Sequence, residues 1–420
     1  MLNNPKDFLI DLFNTAVLAA HPSAVLAQHL PKNTNRKAIV IGAGKAAASM
    51  AAALEQHWQG ELSGLVVTRY GHGAKCQHIE VVEAAHPVPD ATGQEVAQRI
   101  LNLVSDLNKD DLVICLISGG GSSLLSLPAQ GLSLKDKQLI NKALLKSGAA
   151  IDEINCVRKH LSAIKGGRLA QACYPATLHT FAISDVPGDD ASTIASGPTV
   201  ADSTTSAQAL AILKKYQIKI NENVVRWLND PAAETLKPQD KVFENTTFTL
   251  IATPQVSLDA ATIKAKAAGL NTLILGDQIE GESRIVAKEH GKIALDIASG
   301  NHIIKAPCLI LSGGETTVTV KGNGRGGRNA EFLLSLAITT KQHQHFYAIA
   351  ADTDGIDGSE DNAGCLLTPQ TYQVAQQKNL NLIAYLNNND GYGFFEETNN
   401  LLITGPTRTN VNDFRAILVL

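Results

Sequence analysis

The chain has 420 residues, 44% hydrophobic and 18% charged, with a formal net charge of −4 and a pI near 6.3. That length exceeds what one hydrophobic core usually organises, so two domains are expected, and the composition excludes disordered and fibrous classes. The mild acidity argues against a nucleic-acid or membrane-surface role, although a local basic pocket is compatible with it.

Residues 1–30 read as an amphipathic helix with Phe8, Leu9, Leu12 and Phe13 on one face. Asp7 and Asp11 interrupt any signal-peptide core, and no apolar run reaches membrane-spanning length, so a cytoplasmic protein is expected. A strand over 37–41 runs into Gly42-Ala43-Gly44-Lys45 and an alanine-rich helix over 46–55. Strand, glycine turn and helix in that order form the phosphate-binding opening of a doubly wound sheet. Strands follow at 64–68 and 79–84, the second ending at His86-Pro87-Val88-Pro89-Asp90, and then a helix over 92–107.

The strand at 111–117 stops at Ser118-Gly119-Gly120-Gly121-Ser122-Ser123, a run of amides and hydroxyls suited to a phosphate or carboxylate, or to a tight capped turn. Helical periods cover 134–147 and 151–172, the latter carrying Arg158, Lys159, His160, Lys165 and Arg168. Such a charge run is usually a solvated face, and a lone histidine such as His86 or His160 is usually an ordinary hydrogen-bonded residue. A strand at 180–183 ends in Ser184-Asp185-Val186-Pro187-Gly188-Asp189-Asp190, and 207–228 is mostly helical. Residues 229–240, with Pro231 and Pro238, read as the linker, which divides the chain into a Rossmann-like domain over 1–240 and a smaller α/β domain over 241–420. The last strand, 416–420, is a candidate to return to the first domain.

In the second half, strands at 248–251 and 271–275 alternate with helices at 256–268 and 283–299. The strand at 308–311 leads into Ser312-Gly313-Gly314-Glu315, an alternating segment, and the loop Gly322-Asn323-Gly324-Arg325-Gly326-Gly327-Arg328-Asn329 before a helix over 330–338. Glycine amides, two guanidiniums and a helix N-terminus in one stretch suggest an anion grip. Asp352, Asp354 and Asp357 crowd the loop after the strand at 346–350, as Asp185, Asp189 and Asp190 do earlier. Crowded carboxylates repel unless a cation or a basic side chain sits between them, and Mg2+ on nucleotide phosphates needs only one or two of them. Single aspartates are equally explained by caps and turns.

Other patterns are missing. Gly42-Ala43-Gly44-Lys45-Ala46-Ala47 fits the loose dinucleotide fingerprint, but the next strand ends at Thr68-Arg69 without the acidic residue that NAD requires; Arg69 leaves NADP open. There is no P-loop spacing and no nucleophile elbow. The six cysteines, Cys76, Cys115, Cys156, Cys173, Cys308 and Cys365, have no zinc-site spacing and read as reduced thiols.

The motifs at 41–46, 85–90, 118–123, 184–190, Ser196-Gly197-Pro198-Thr199, 312–315, 324–329 and 352–358 together resemble the glycerate 2-kinases of the MOFRL type, in order and over nearly the whole chain. The resemblance implies two α/β domains with a cleft between them, and ATP- and Mg2+-dependent phosphorylation of D-glycerate at its 2-hydroxyl. It aligns Lys45 and Arg325 with the family's catalytic lysine and arginine. With it, Asp189 is expected as base or metal ligand, with Asp352 and Asp354 as further metal ligands. Gly42, Gly44, Ser118, Gly119, Gly120, Gly121, Ser122, Ser123, Gly313, Gly314, Glu315, Gly324, Arg328 and Asn410 are expected to bind substrate or nucleotide. A monomer or homodimer is expected. Arg408 departs from the pattern, which has glycine there. Many members carry the name hydroxypyruvate reductase, and an NAD(P)H-dependent reductase is the first rival reading; a non-catalytic sugar-phosphate sensor is the second.

Overall fold

The computed structural model describes residues 2, 4–340 and 345–420, which form two compact units. One spans Val25–Ile251; the other joins Met1–Ala24 to Ala252–Leu420. The break therefore falls at 251/252 rather than at 240/241, and the first helix, Pro5–Ala19, belongs with the C-terminal unit.

The Val25–Ile251 unit is organised by a six-stranded sheet. Its strands are β1 (Ala38–Ala43), β2 (Leu62–Arg69), β3 (Ile79–Ala84), β4 (Leu112–Ile117), β5 (Thr177–Ile183) and β6 (Thr246–Ala252), in the order β3-β2-β1-β4-β5-β6. The first five are parallel neighbours, and the strand order reverses between β1 and β4. β4 is buried at every position, as its unbroken apolar run requires of a central parallel strand. Beside the sheet, helices Leu134–Ser147, Ile151–His160, Ser206–Lys215 and Glu222–Leu228 share a second core around Leu144, Val157, Leu213 and Val224.

Two helices expected to be continuous are broken. The period over 151–172 divides into Ile151–His160 and Arg168–Cys173, and Gly166 and Gly167, at φ 58° and 80°, keep the connection from rejoining them as one helix. Gln217, at φ 53°, interrupts the second. The presumed linker is also pinned: Leu236 exchanges backbone hydrogen bonds with Gly166 and Asp202, and the Arg168 guanidinium donates to the carbonyls of Ala232, Ala233 and Glu234.

The other unit holds β7 (Asn271–Gly276), β8 (Gly281–Glu282), β9 (Cys308–Ser312), β10 (Thr316–Thr317), β11 (Phe346–Asp352), β12 (Gly364–Leu367), β13 (Leu401–Leu402) and β14 (Asp413–Val419). Its main sheet runs β13-β12-β11-β14-β9-β7. β7 and β9 are parallel, whereas β14 is antiparallel to both β9 and β11. The last strand thus sits in the middle of this sheet. Alternate residues face two cores: Ile310, Ala348 and Ile417 pack on one side, and Leu309, Leu311, Ile349 and Leu418 pack with Leu9, Leu12 and Phe13 of the first helix on the other. Among the described residues no single helix is long and apolar enough to cross a membrane. The six cysteines are free thiols, five of them buried.

A buried histidine ties the helix Ser283–Ala298 to β9. His290 Nδ1 donates to the Val286 carbonyl at 2.9 Å, so Nε2 accepts from the Ser312 hydroxyl at 2.9 Å, and the ring is neutral. Burial first, and then the Arg415 charge, push its pKa down to about 4. A depressed folded-state value means that stability is fully present above the unfolded value of 6.5 and is lost as pH falls through 4. Urea unfolding followed between pH 7 and pH 4 is expected to lose about 3 kcal/mol from this group. His290→Gln should flatten that part of the profile.

Candidate active site

The carboxyl ends of β1 and β4, where the strand order reverses, are the usual ligand position of an open α/β sheet. Here the two loops are stitched together. Ala46 N–H donates to Ser118 Oγ at 2.9 Å, Lys45 N–H to the Gly119 carbonyl at 2.8 Å, Gly44 N–H to Val67 and Ala47 N–H to Gly44. Gly44 is required by contact: a Cβ there would lie 2.1 Å from Ser118 Oγ, at a φ of 141°. Gly42 likewise lets β1 approach β4, since its Cβ would meet the Leu116 carbonyl at 2.3 Å. Gly42 and Gly44 thus act through packing, and the four amides from Gly44 to Ala47 already have protein acceptors. The Ser118–Ser123 loop differs. Gly120 takes a left-handed φ of 79°, and among the described residues the Gly119 and Gly120 amides have no protein acceptor.

Beyond Gly120 opens a cavity of about 260 Å3. Its rim is Gly120, Ser122, Ser123 and His86; its wall is Ile140, Leu144, Val157 and Leu161; and three cations, Lys137, Arg158 and Lys165, reach into it. Among the described residues no carboxylate lines it. Lys45 belongs to the same corner, because a Cβ on Gly120 would stand 2.9 Å from the His86 ring and 3.4 Å from Lys45 Cγ.

Among the described residues the three cations meet neutral acceptors. Lys165 is 2% exposed, and its amine donates to the Ser122 carbonyl at 2.7 Å. Lys137 donates to the Leu127 carbonyl at 3.2 Å, and Arg158 Nε to Asn141 Oδ1 at 2.6 Å. Burial, reinforced by Arg158 and Arg168, pushes the Lys137 amine down to about 7. Burial, then Lys137 and Arg158, lowers the Lys165 amine well below the ordinary lysine value. Neighbouring Lys159 is by contrast neutralised by Asp202 at 3.1 Å. The charge run at 158–168 is therefore internal rather than a solvated face.

A strained loop braces the floor. Ala195, Ser196 and Gly197 have φ values of 51°, 62° and 58°, and Ser196 Oγ lies 2.8 Å from Ser122 Oγ. Asp189 is a further left-handed residue, at φ 56°, and its Oδ1 is buried without a hydrogen-bond partner among the described residues. Strain of this kind concentrates at functional sites.

In the other unit the expected anion grip is largely filled by the protein itself. The Asp357 carboxylate accepts the Asn329 and Ala330 amides at 3.0 and 2.9 Å, occupying the N-terminus of the helix Arg328–Thr340. The glycine loop is sewn to the segment after it: Gly324 N–H donates to the Asn388 carbonyl and Arg325 N–H to Asp390. Gly313 N–H donates to Gly276, and Gly314 packs where a Cβ would lie 2.2 Å from the Ile279 amide nitrogen. Arg328 is bound by Glu315 at 3.0 Å, Asp352 at 2.6 Å and Asp413 at 2.7 Å. Arg325 is half-exposed, pairs with Glu396 at 2.7 Å and lies over the Tyr392 ring at 4.5 Å. Asp352 and Asp354 accept the amides two residues on, and Asn410 lies buried in the turn before β14. Among the described residues no three His, Cys, Asp or Glu side chains are grouped to hold a metal.

Lys137 carried no sequence signal beyond one lysine on a polar helix. Arg158 and Lys165 were visible only as part of a charge run.

A doubly wound sheet with an unneutralised cationic cavity at its switch point defines a protein that handles small anions. Residues 8–229 match the domain of unknown function DUF4147, and residues 308–413 match the MOFRL family. A D-glycerate 2-kinase of Thermotoga maritima is 40% identical over 97% of both chains. An Agrobacterium vitis protein named "Putative hydroxypyruvate reductase" is 49% identical over 99% of this chain and 94% of its own. The crystal structure of the T. maritima glycerate kinase superposes with a TM-score of 0.90, covering 99% of each chain at 40% identity. The chain belongs to the MOFRL-type glycerate 2-kinase family.

Buried Asp413 pairs with partly buried Arg328 and fully buried Arg415, so removing it leaves two arginines short of a counter-charge. Asp413→Ala is expected to destabilise the C-terminal unit by about 3–5 kcal/mol, read as a lowered denaturant midpoint.

Proposed function

We propose that this chain transfers the γ-phosphoryl group of ATP to the 2-hydroxyl of D-glycerate, giving 2-phosphoglycerate and ADP. The observation that carries the reading is the cation-lined cavity beside Lys45. Its 260 Å3 lies below the roughly 300–1,000 Å3 of drug-sized ligand sites and has room for a three-carbon acid. The T. maritima relative named D-glycerate 2-kinase, similar over its full length, supports the same substrate.

In the reaction the glycerate 2-oxygen forms a bond to the γ-phosphorus as the bond from phosphorus to the ADP oxygen breaks. Asp189, with its unpartnered Oδ1, takes the hydroxyl proton or holds the metal. Lys45 meets the charge on the transferred group. Arg325, half-exposed and paired with Glu396, is the candidate in its own unit for a phosphate contact. Mg2+, held by Asp189 or by Asp352 and Asp354, would screen the nucleotide phosphates. The used amides of Gly44–Ala47 leave no nest for a dinucleotide pyrophosphate at that turn, which counts against the reductase reading.

An ADP-release assay with D-glycerate, L-glycerate and tartronate, run beside NADPH oxidation with hydroxypyruvate, tests the proposal. ADP release with D-glycerate is expected; NADPH loss without ADP release overturns it. Removing one charge-stabilising group from such a site costs on the order of 3–4 kcal/mol, so Lys45→Met should lower kcat by about a hundredfold or more with the fold intact. Arg325→Lys should also be damaging, since an ammonium cannot make a planar two-point contact.

A further inference from the structure

Nearby, other basic side chains have a counter-charge or several carbonyls: Lys159 has Asp202, Lys237 has Glu234, Lys215 has Glu153, and Arg168 has four carbonyls. Lys137, Arg158 and Lys165 have neutral acceptors only, and among the described residues none of them pairs with a carboxylate. Enclosed cations without a counter-ion are costly, and the cost is recovered when a ligand brings the negative charge. Asn141 holds the Nε of Arg158, which orients the guanidinium and leaves its terminal edge for a two-point contact with a carboxylate. The wall of Ile140, Leu144, Val157 and Leu161 offers a longer polyol no hydrogen bonds. Gly120, His86 and Lys45 lie at one end, where a hydroxyl next to the bound carboxylate would meet the transferred phosphoryl group.

We propose that this cavity is the carboxylate pocket of the acceptor: Arg158 clamps the carboxylate, Lys137 and Lys165 supply the balancing charge, and the apolar wall limits the substrate to short 2-hydroxy acids. The assignment deepens the kinase reading and rests on it.

The pocket carries its own pH signature. Lys137 is faced by Arg158 and Lys165, with Arg168 beyond, while His86 lines the same space and no carboxylate does. An amine held near 7 binds an anion best in acid, and the bound anion raises its proton affinity. The KM for D-glycerate should therefore rise up to about tenfold from pH 7 to pH 9, and Lys137→Arg, charged throughout, should flatten that rise.

The test is steady-state kinetics on the full chain, with calorimetry of D-glycerate alone as the activity-independent readout. Arg158→Met is expected to raise the KM for D-glycerate at least a hundredfold, leave the KM for ATP within twofold, and abolish measurable D-glycerate binding. Arg158→Lys should fall between it and the wild type, and thermal melts confirm that both variants are folded. A D-glycerate KM within threefold of wild type in folded Arg158→Met, or a rise in the ATP KM instead, overturns the pocket. Absence of ADP release by the wild type overturns the kinase reading separately; D-glycerate binding lost in Arg158→Met would still uphold the pocket, and equal binding would overturn it.

Discussion

Positive charge held inside a small cavity without a matching carboxylate is the constraint on which the site depends. Three basic side chains converge there on carbonyls and an amide oxygen. A protein can bear that arrangement where a ligand completes it, because an anion arriving in a confined, low-dielectric space gains far more than it would at a solvated surface. The neighbouring Lys159–Asp202 pair shows that the same fold neutralises its cations where no ligand is needed.

The backbone builds the cavity through departures from regular structure. The helix Ile151–His160 stops well before left-handed Gly166 and Gly167, which lead into the helix Arg168–Cys173, and Lys165 in the connection points inward instead of along a solvated face. Left-handed residues 195–197 set the Ser196 hydroxyl against Ser122. Gly42 and Gly44 allow β1 to press on β4 closely enough for Ser118 to hold the next turn. Strain and close approach thus gather around the space where the ligand is placed.

Much of the fold was legible in the residues. The apolar runs at 111–117 and 308–311 became buried strands, and the glycine turns ended strands as expected. Periodicity could not report the break at 166–167, because two glycines late in a helical pattern look tolerable until their φ values are known. It also could not show that Pro231 and Pro238 belong to a segment pinned inside a unit, since the pinning comes from residues distant in the chain such as Arg168. The glycine-rich loop at 322–327 has the composition of an anion grip, but Asp357 and the 388–392 segment already satisfy it. Conversely Lys137 was silent, because burial of one lysine by a neighbouring helix leaves no mark on local sequence.

The most direct measurement of this account is the proton balance of ligand binding. D-Glycerate is titrated into the full chain at pH 8 by calorimetry in buffers of different ionisation enthalpy. An amine near 7 is mostly neutral there and must be recharged to hold a carboxylate, so net proton uptake is expected, and Lys137→Arg should reduce it. Binding with no change in protonation would contradict the claim that unmatched cations receive the acid.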